Sequence, residues 1–157
     1  MQARRSAFSV ALVSVLAEGL ITSWTTTGTA AQKKKTCSVK GSASDDPLVG
    51  TENRDRICGK AGNDAAHALG GNDTVLGGKG DDTLEGDRGS DTIRGGVGAD
   101  RLDGGLGDDV MKGGAGADVI DSTDGGKDRV RGGRGKDTCF VNKADKVRGC
   151  EQKVVTG

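Results

Sequence analysis

From Gly50 onward the chain repeats itself every nine residues, and the sixth residue of each unit is aspartate. The units read GTENRDRIC, GKAGNDAAH, ALGGNDTVL, GGKGDDTLE, GDRGSDTIR, GGVGADRLD, GGLGDDVMK and GGAGADVID. The aspartates are Asp55, Asp64, Asp73, Asp82, Asp91, Asp100, Asp109 and Asp118. A ten-residue unit, STDGGKDRVR, then shifts the frame by one, and the series resumes at Asp128 and Asp137. Unpatterned sequence does not hold one residue type at one position in this way. A chain built from such units is expected to stack them, each burying its apolar part against its neighbours.

The eighth position gives the stack its inner face. It holds Ile57, Ala66, Val75, Leu84, Ile93, Leu102, Met111, Ile120, Val130 and Cys139, mostly flanked by polar residues. A polar–apolar–polar triplet is a minimal strand whose middle side chain turns inward. The glycine-rich residues ahead of it must reverse the chain, because glycine tolerates positive φ and close backbone approach. Each unit is therefore a turn plus a short strand. Two units make one coil, coils stack about 4.8 Å apart, and aspartates eighteen residues apart lie one above another.

Composition decides what else must hold such a stack together. Aromatic residues make up 2 % of the chain; Phe8 and Trp24 fall in the N-terminal leader, which leaves Phe140 for the body. With glycine at 29 positions, a conventional core cannot offset the backbone entropy of folding. Composition alone would favour disorder; the periodicity overrides it. Superposed carboxylates repel unless a cation lies between them. Two carboxylates with several backbone carbonyls suit calcium, which accepts flexible oxygen coordination. Zinc prefers nitrogen or sulfur, and magnesium demands a rigid octahedron. His67 is the single histidine, which gives a transition-metal site little support.

The units GGKGDDTLE, GGVGADRLD, GGLGDDVMK and GGAGADVID resemble the RTX, or haemolysin-type, calcium-binding nonapeptide repeat. The resemblance covers roughly 50–140. It implies an all-β, right-handed parallel β-roll solenoid with two nonapeptides per coil and calcium ions between adjacent turns. The implied ligands are the sixth-position aspartates, Asp55 to Asp137, with turn carbonyls. In the central units those carbonyls belong to Gly77, Gly78, Gly80, Gly95, Gly96, Gly98, Gly104, Gly105, Gly107, Gly113, Gly114 and Gly116. The strongest pairs are Asp64 with Asp82, Asp73 with Asp91, Asp82 with Asp100, Asp91 with Asp109, and Asp100 with Asp118. Asp55 is a weaker candidate, since Thr51 and Asn53 stand where glycines are usual. The insertion at 122–127 leaves the pairings of Asp128 and Asp137 open. Lys127 and Lys136 replace neutral fifth-position residues and are expected to supply part of an ion's charge there. About five to seven ions are expected from the intact pairs.

Residues 1–31 read as a secretory signal peptide, with basic Arg4 and Arg5, an apolar stretch from Ala7 to Ala17, and small Thr29, Ala30 and Ala31 before the cut. The apolar run is too short to span a bilayer, so the mature chain is expected to be secreted with no membrane span. The best-known members of the resembled family instead use a C-terminal export signal without a cleavable leader. Residues 32–47 read as a polar arm or cap, 48–140 as the repeat, and 141–157 as a C-terminal cap. Export permits disulfides. Cys37, Cys58, Cys139 and Cys150 allow three connectivities. The economical one is Cys37–Cys58 and Cys139–Cys150, one bridge at each end; a small buried thiol at Cys139 is the alternative.

Lysine plus arginine number 23, as do aspartate plus glutamate, so the balance does not point to nucleic acid. The charges are nevertheless ordered. Ninth-position residues of alternate units read Cys58, Leu76, Arg94, Lys112, Arg131 in one row and His67, Glu85, Asp103, Asp121, Phe140 in the other. One sheet is thus expected to be basic and the other acidic, either for solubility or for weak self-association or docking on a charged polymer. No activated nucleophile and no separate catalytic carboxylate pair is evident. The expectation is a non-enzymatic secreted calcium-binding protein that folds on its ions. The alternatives are an adhesion or self-associating module, with ice binding least favoured, and the accessory remnant of an RTX enzyme or toxin.

Overall fold

The computed structural model describes residues 36–157; the leader lies outside the described residues. Fourteen strands follow in order: β1 (Val39–Lys40), β2 (Pro47–Thr51), β3 (Arg56–Ala61), β4 (Ala65–Leu69), β5 (Thr74–Lys79), β6 (Thr83–Glu85) and β7 (Thr92–Val97), then β8 (Arg101–Asp103), β9 (Val110–Ala115), β10 (Val119–Ser122), β11 (Arg129–Arg134), β12 (Thr138–Asn142), β13 (Lys146–Arg148) and β14 (Gln152–Thr156). No helix occurs among the described residues. Odd-numbered strands form one seven-stranded sheet and even-numbered strands a second. Every pairing is parallel. The molecule is the expected all-β solenoid, two nonapeptides to a coil.

Register follows directly from the repeat. Ile93 pairs with Val75, and Leu102 with Leu84, each eighteen residues away. All ten apolar residues of the eighth position are buried, and they form the core together with Leu48, Ala68 and Val141. That core holds no aromatic side chain, which fits a sequence of small and branched aliphatics.

The inserted residue at 122–127 is absorbed in a turn. Val110 pairs with Arg129 and Val119 with Thr138, nineteen residues apart, and the ladder beyond continues. The coils also run past both ends of 48–140. Upstream, Val39 and Lys40 pair with Ile57 and Cys58, and Leu48 enters the core. Downstream the register tightens: Arg129 pairs with Lys146 at seventeen residues and Thr138 with Gln152 at fourteen. Cys37 is bridged to Cys58 and Cys139 to Cys150, so each end of the solenoid is tied to the coil next to it. Cys139 is buried but not free.

Candidate metal centre

Each sixth-position aspartate ends a turn and faces the next turn of the stack. Its backbone amide donates to the Oδ1 of the aspartate one coil on. Asp64 donates to Asp82 at 2.8 Å, Asp82 to Asp100 at 2.9 Å, and Asp100 to Asp118 at 3.0 Å. On the opposite edge Asp73 donates to Asp91 and Asp91 to Asp109, both at 2.7 Å. The two columns survive the insertion, because Asp109 donates to Asp128 at 2.7 Å and Asp118 to Asp137 at 3.0 Å. Aspartates eighteen or nineteen residues apart are thus brought together on both edges.

The second carboxylate oxygen has a different fate. The Oδ2 atoms of Asp64, Asp73, Asp82, Asp91, Asp100, Asp109, Asp118, Asp128 and Asp137 are buried and have no hydrogen-bond partner. A buried, unsatisfied carboxylate oxygen is costly, by about 1–3 kcal/mol or more. Seven of them, all but those of Asp73 and Asp128, lie inside their own turn against a first-position glycine. A side chain at Gly77 would collide with the Asp82 carboxylate and the Gly95 carbonyl. The fourth position is equally tight: Gly98 has φ +135°, and a Cβ there would overlap the Gly80 carbonyl. Glycine at these places lets stacked carbonyls and carboxylates crowd one cradle.

Burial raises the carboxyls of eight of these aspartates, and repulsion from neighbouring aspartates adds to it. Asp91 and Asp128 are pushed up to about 6, and Asp100 and Asp109 to about 7. Asp64, Asp73, Asp82 and Asp118 are raised as well, again first by burial. Such crowded anionic oxygens beside backbone carbonyls fit a hard cation.

Asp55 departs from the rest. Both its oxygens are taken: Oδ1 accepts from the Ser38 hydroxyl at 2.9 Å, and Oδ2 from the Thr51 hydroxyl and amide at 2.7 Å each. The hydrogen bond from the Thr51 hydroxyl holds its carboxyl below the usual range. Asp46 heads the other column in the same manner, with the Ser42 amide and hydroxyl on its Oδ2 at 2.6 and 2.8 Å. These bonds, the amide first, lower its carboxyl too. At the far end Asp145 takes the Asp128 amide on Oδ1, and the Ser122 hydroxyl and Asn142 amide on Oδ2. Glu151 takes the Asp137 amide at 2.8 Å. Both columns therefore finish, at both ends, on acceptors served by the protein's own donors.

Lys127 and Lys136 do not play the part expected of them. Both are exposed, and the one ion pair among the described residues is His67 with Glu85. The lysine that does enter a turn is Lys60, whose ammonium donates to the Gly41 carbonyl beside Asp46. Lys60 stands where glycine is usual, which is the sequence signal for it.

A second ladder runs beside the first. Fifth-position oxygens accept the amide of the fifth residue one coil on: Asn63 from Asp81, Asp81 from Ala99, Asn72 from Ser90, and Asp108 from Lys127. Donation runs opposite to that of the sixth position, so adjacent turns are stapled in both directions. Asparagine or aspartate at position five was the available signal. His67, Glu85 and Asp87 also converge at the surface, with His67 Nδ1 2.8 Å from Glu85 Oε2.

A parallel β-solenoid whose turns carry two columns of buried aspartates is a calcium-binding repeat module of the β-roll class. The chain belongs to the RTX calcium-binding nonapeptide repeat family. That family's model matches residues 38–66, 59–93, 67–102, 94–125 and 103–139. A search of the curated proteins finds no match.

Proposed function

We propose that the chain is a secreted, non-enzymatic module that folds around calcium ions held between stacked turns. The observation that carries this reading is the set of nine buried Oδ2 atoms with no protein donor. The residues that would hold the ions are Asp64, Asp82, Asp100, Asp118 and Asp137 on one edge, and Asp73, Asp91, Asp109 and Asp128 on the other. Turn carbonyls such as those of Gly77, Gly80, Gly95 and Gly98 complete the donor set. The cation supplies positive charge that cancels the repulsion within each column. Asp55, satisfied by Ser38 and Thr51, is a column end rather than a ligand.

Five aspartates on one edge enclose four gaps, and four on the other enclose three. Calcium that is scarce before export and plentiful outside would make folding follow secretion, since ligation and folding share one free energy. The two disulfides and the family's repeat support an extracellular setting. Isothermal calorimetry of the chain lacking its leader, titrated with calcium, is expected to give several ions per chain, up to one per gap. No heat of binding, or a single ion, would overturn the reading.

A further inference from the structure

The odd-numbered sheet presents a basic row outward, and the even-numbered sheet a half-buried acidic row in which Glu85 pairs with His67 and exposed Arg101 stands beside Asp103. On the odd-numbered sheet Arg94, Lys112, Arg131 and Arg148 pair rung to rung, with Arg129 and Lys146 beside them. All six are exposed, and among the described residues none has a carboxylate within ion-pair distance. They border an open groove of about 370 Å³ that also reaches exposed Val110. On the even-numbered sheet Glu85, Asp103 and Asp121 are cross-strand neighbours in one row. Asp103 sits between the other two; burial, followed by repulsion from Asp121, raises its carboxyl.

We propose that the basic sheet face, centred on Arg94, Lys112 and Arg131, docks on the acidic sheet face, Glu85, Asp103 and Asp121, of a second copy of this chain. Both rows are produced by the same coil rise, about 4.8 Å per rung, so their spacings match by construction. A translation that lays one sheet over the other aligns three cations with three carboxylates. A flexible polyanion would engage the basic face but leave the acidic row unneutralised. The contact joins two different faces, so it does not close on itself and produces open side-by-side stacks. The inference rests on calcium-loaded coils only in requiring them folded, which circular dichroism checks separately.

Sedimentation velocity at saturating calcium tests it. The wild-type chain is expected to associate at low salt and to dissociate as salt rises, with affinity falling roughly tenfold or more as the charges are screened. Lys112→Glu with Arg131→Glu, and separately Asp103→Lys with Asp121→Lys, should each give monomers. An equimolar mixture of the two variants should associate again. If dichroism shows a reversal variant unfolded, Lys112→Gln with Arg131→Gln replaces it and should weaken association. A wild-type monomer throughout the low-salt titration overturns the proposal. So does a mixture that fails to associate, or polyglutamate binding to the basic face without self-association, which would assign that face to an anionic polymer.

Discussion

An aspartate in the middle of either column does two jobs with two oxygens. Oδ1 accepts the amide of the neighbouring coil and sets the spacing of the stack, as Asp100 does for Asp82 at 2.9 Å. Oδ2 is buried without a donor. At about 1–3 kcal/mol for each unsatisfied oxygen, nine of them match or exceed the net stability of about 5–15 kcal/mol usual for a small domain. At the column heads the same residue type is made self-sufficient by one nearby hydroxyl, Thr51 for Asp55 and Ser42 for Asp46. Asp100→Asn should therefore lower the calorimetric calcium stoichiometry by at least one ion, whereas Asp55→Asn should leave it unchanged. Equal losses from the two substitutions would refute the division between ligands and column ends.

The repeating element is a short strand and a turn, and its tolerance shows where the sequence pattern stops being informative. The period, the inward eighth position and the sixth-position column were all legible, because each is a one-residue rule repeated many times. The coil built on Asp46 was hidden: Gly41, Ser42, Ala43 and Ser44 lack the doubled glycine, and its turn is closed by Ser42 instead. The last coil was legible only in part: Asp145 and Val147 keep the aspartate–x–apolar triplet, and Val147 pairs with Val130. The register shrinks to seventeen and then fourteen residues, so Gln152 and the rest of β14 fall out of the nine-residue frame although they still pair. The placement of Lys127 followed from position alone, and an exposed side chain does not obey the repeat. The Cys139–Cys150 bridge holds this compressed end. Cys139→Ser with Cys150→Ser should lower the calcium-loaded stability by about 3 kcal/mol in the chain-entropy model, read as the urea midpoint. An unchanged midpoint would mean that the end coil is held by its ladder alone.

For the whole molecule the columns tie folding to both protons and calcium. In the folded, metal-free chain Asp91 and Asp128 titrate near 6, and Asp100 and Asp109 near 7, all above the ordinary 3.8. Folding without metal then takes up protons, so these groups' contribution is fully present below about pH 4 and is lost as pH rises through 6 to 7. After calcium removal, β structure should accordingly increase on acidification from pH 7.5 toward 5, by analogy with ion binding. A β signal that falls over that window would contradict the burial of the columns. At neutral pH only the cation remains to quiet the carboxylates, and the aliphatic core cannot offset them.

The most direct measurement is the far-UV circular dichroism of the chain lacking its leader, at neutral pH, first with chelator and then with excess calcium. Little β signal in chelator and a cooperative gain on adding calcium is the expected result. A β-rich spectrum that the chelator does not alter would show that the aspartate columns stand without ions, and the account would fail.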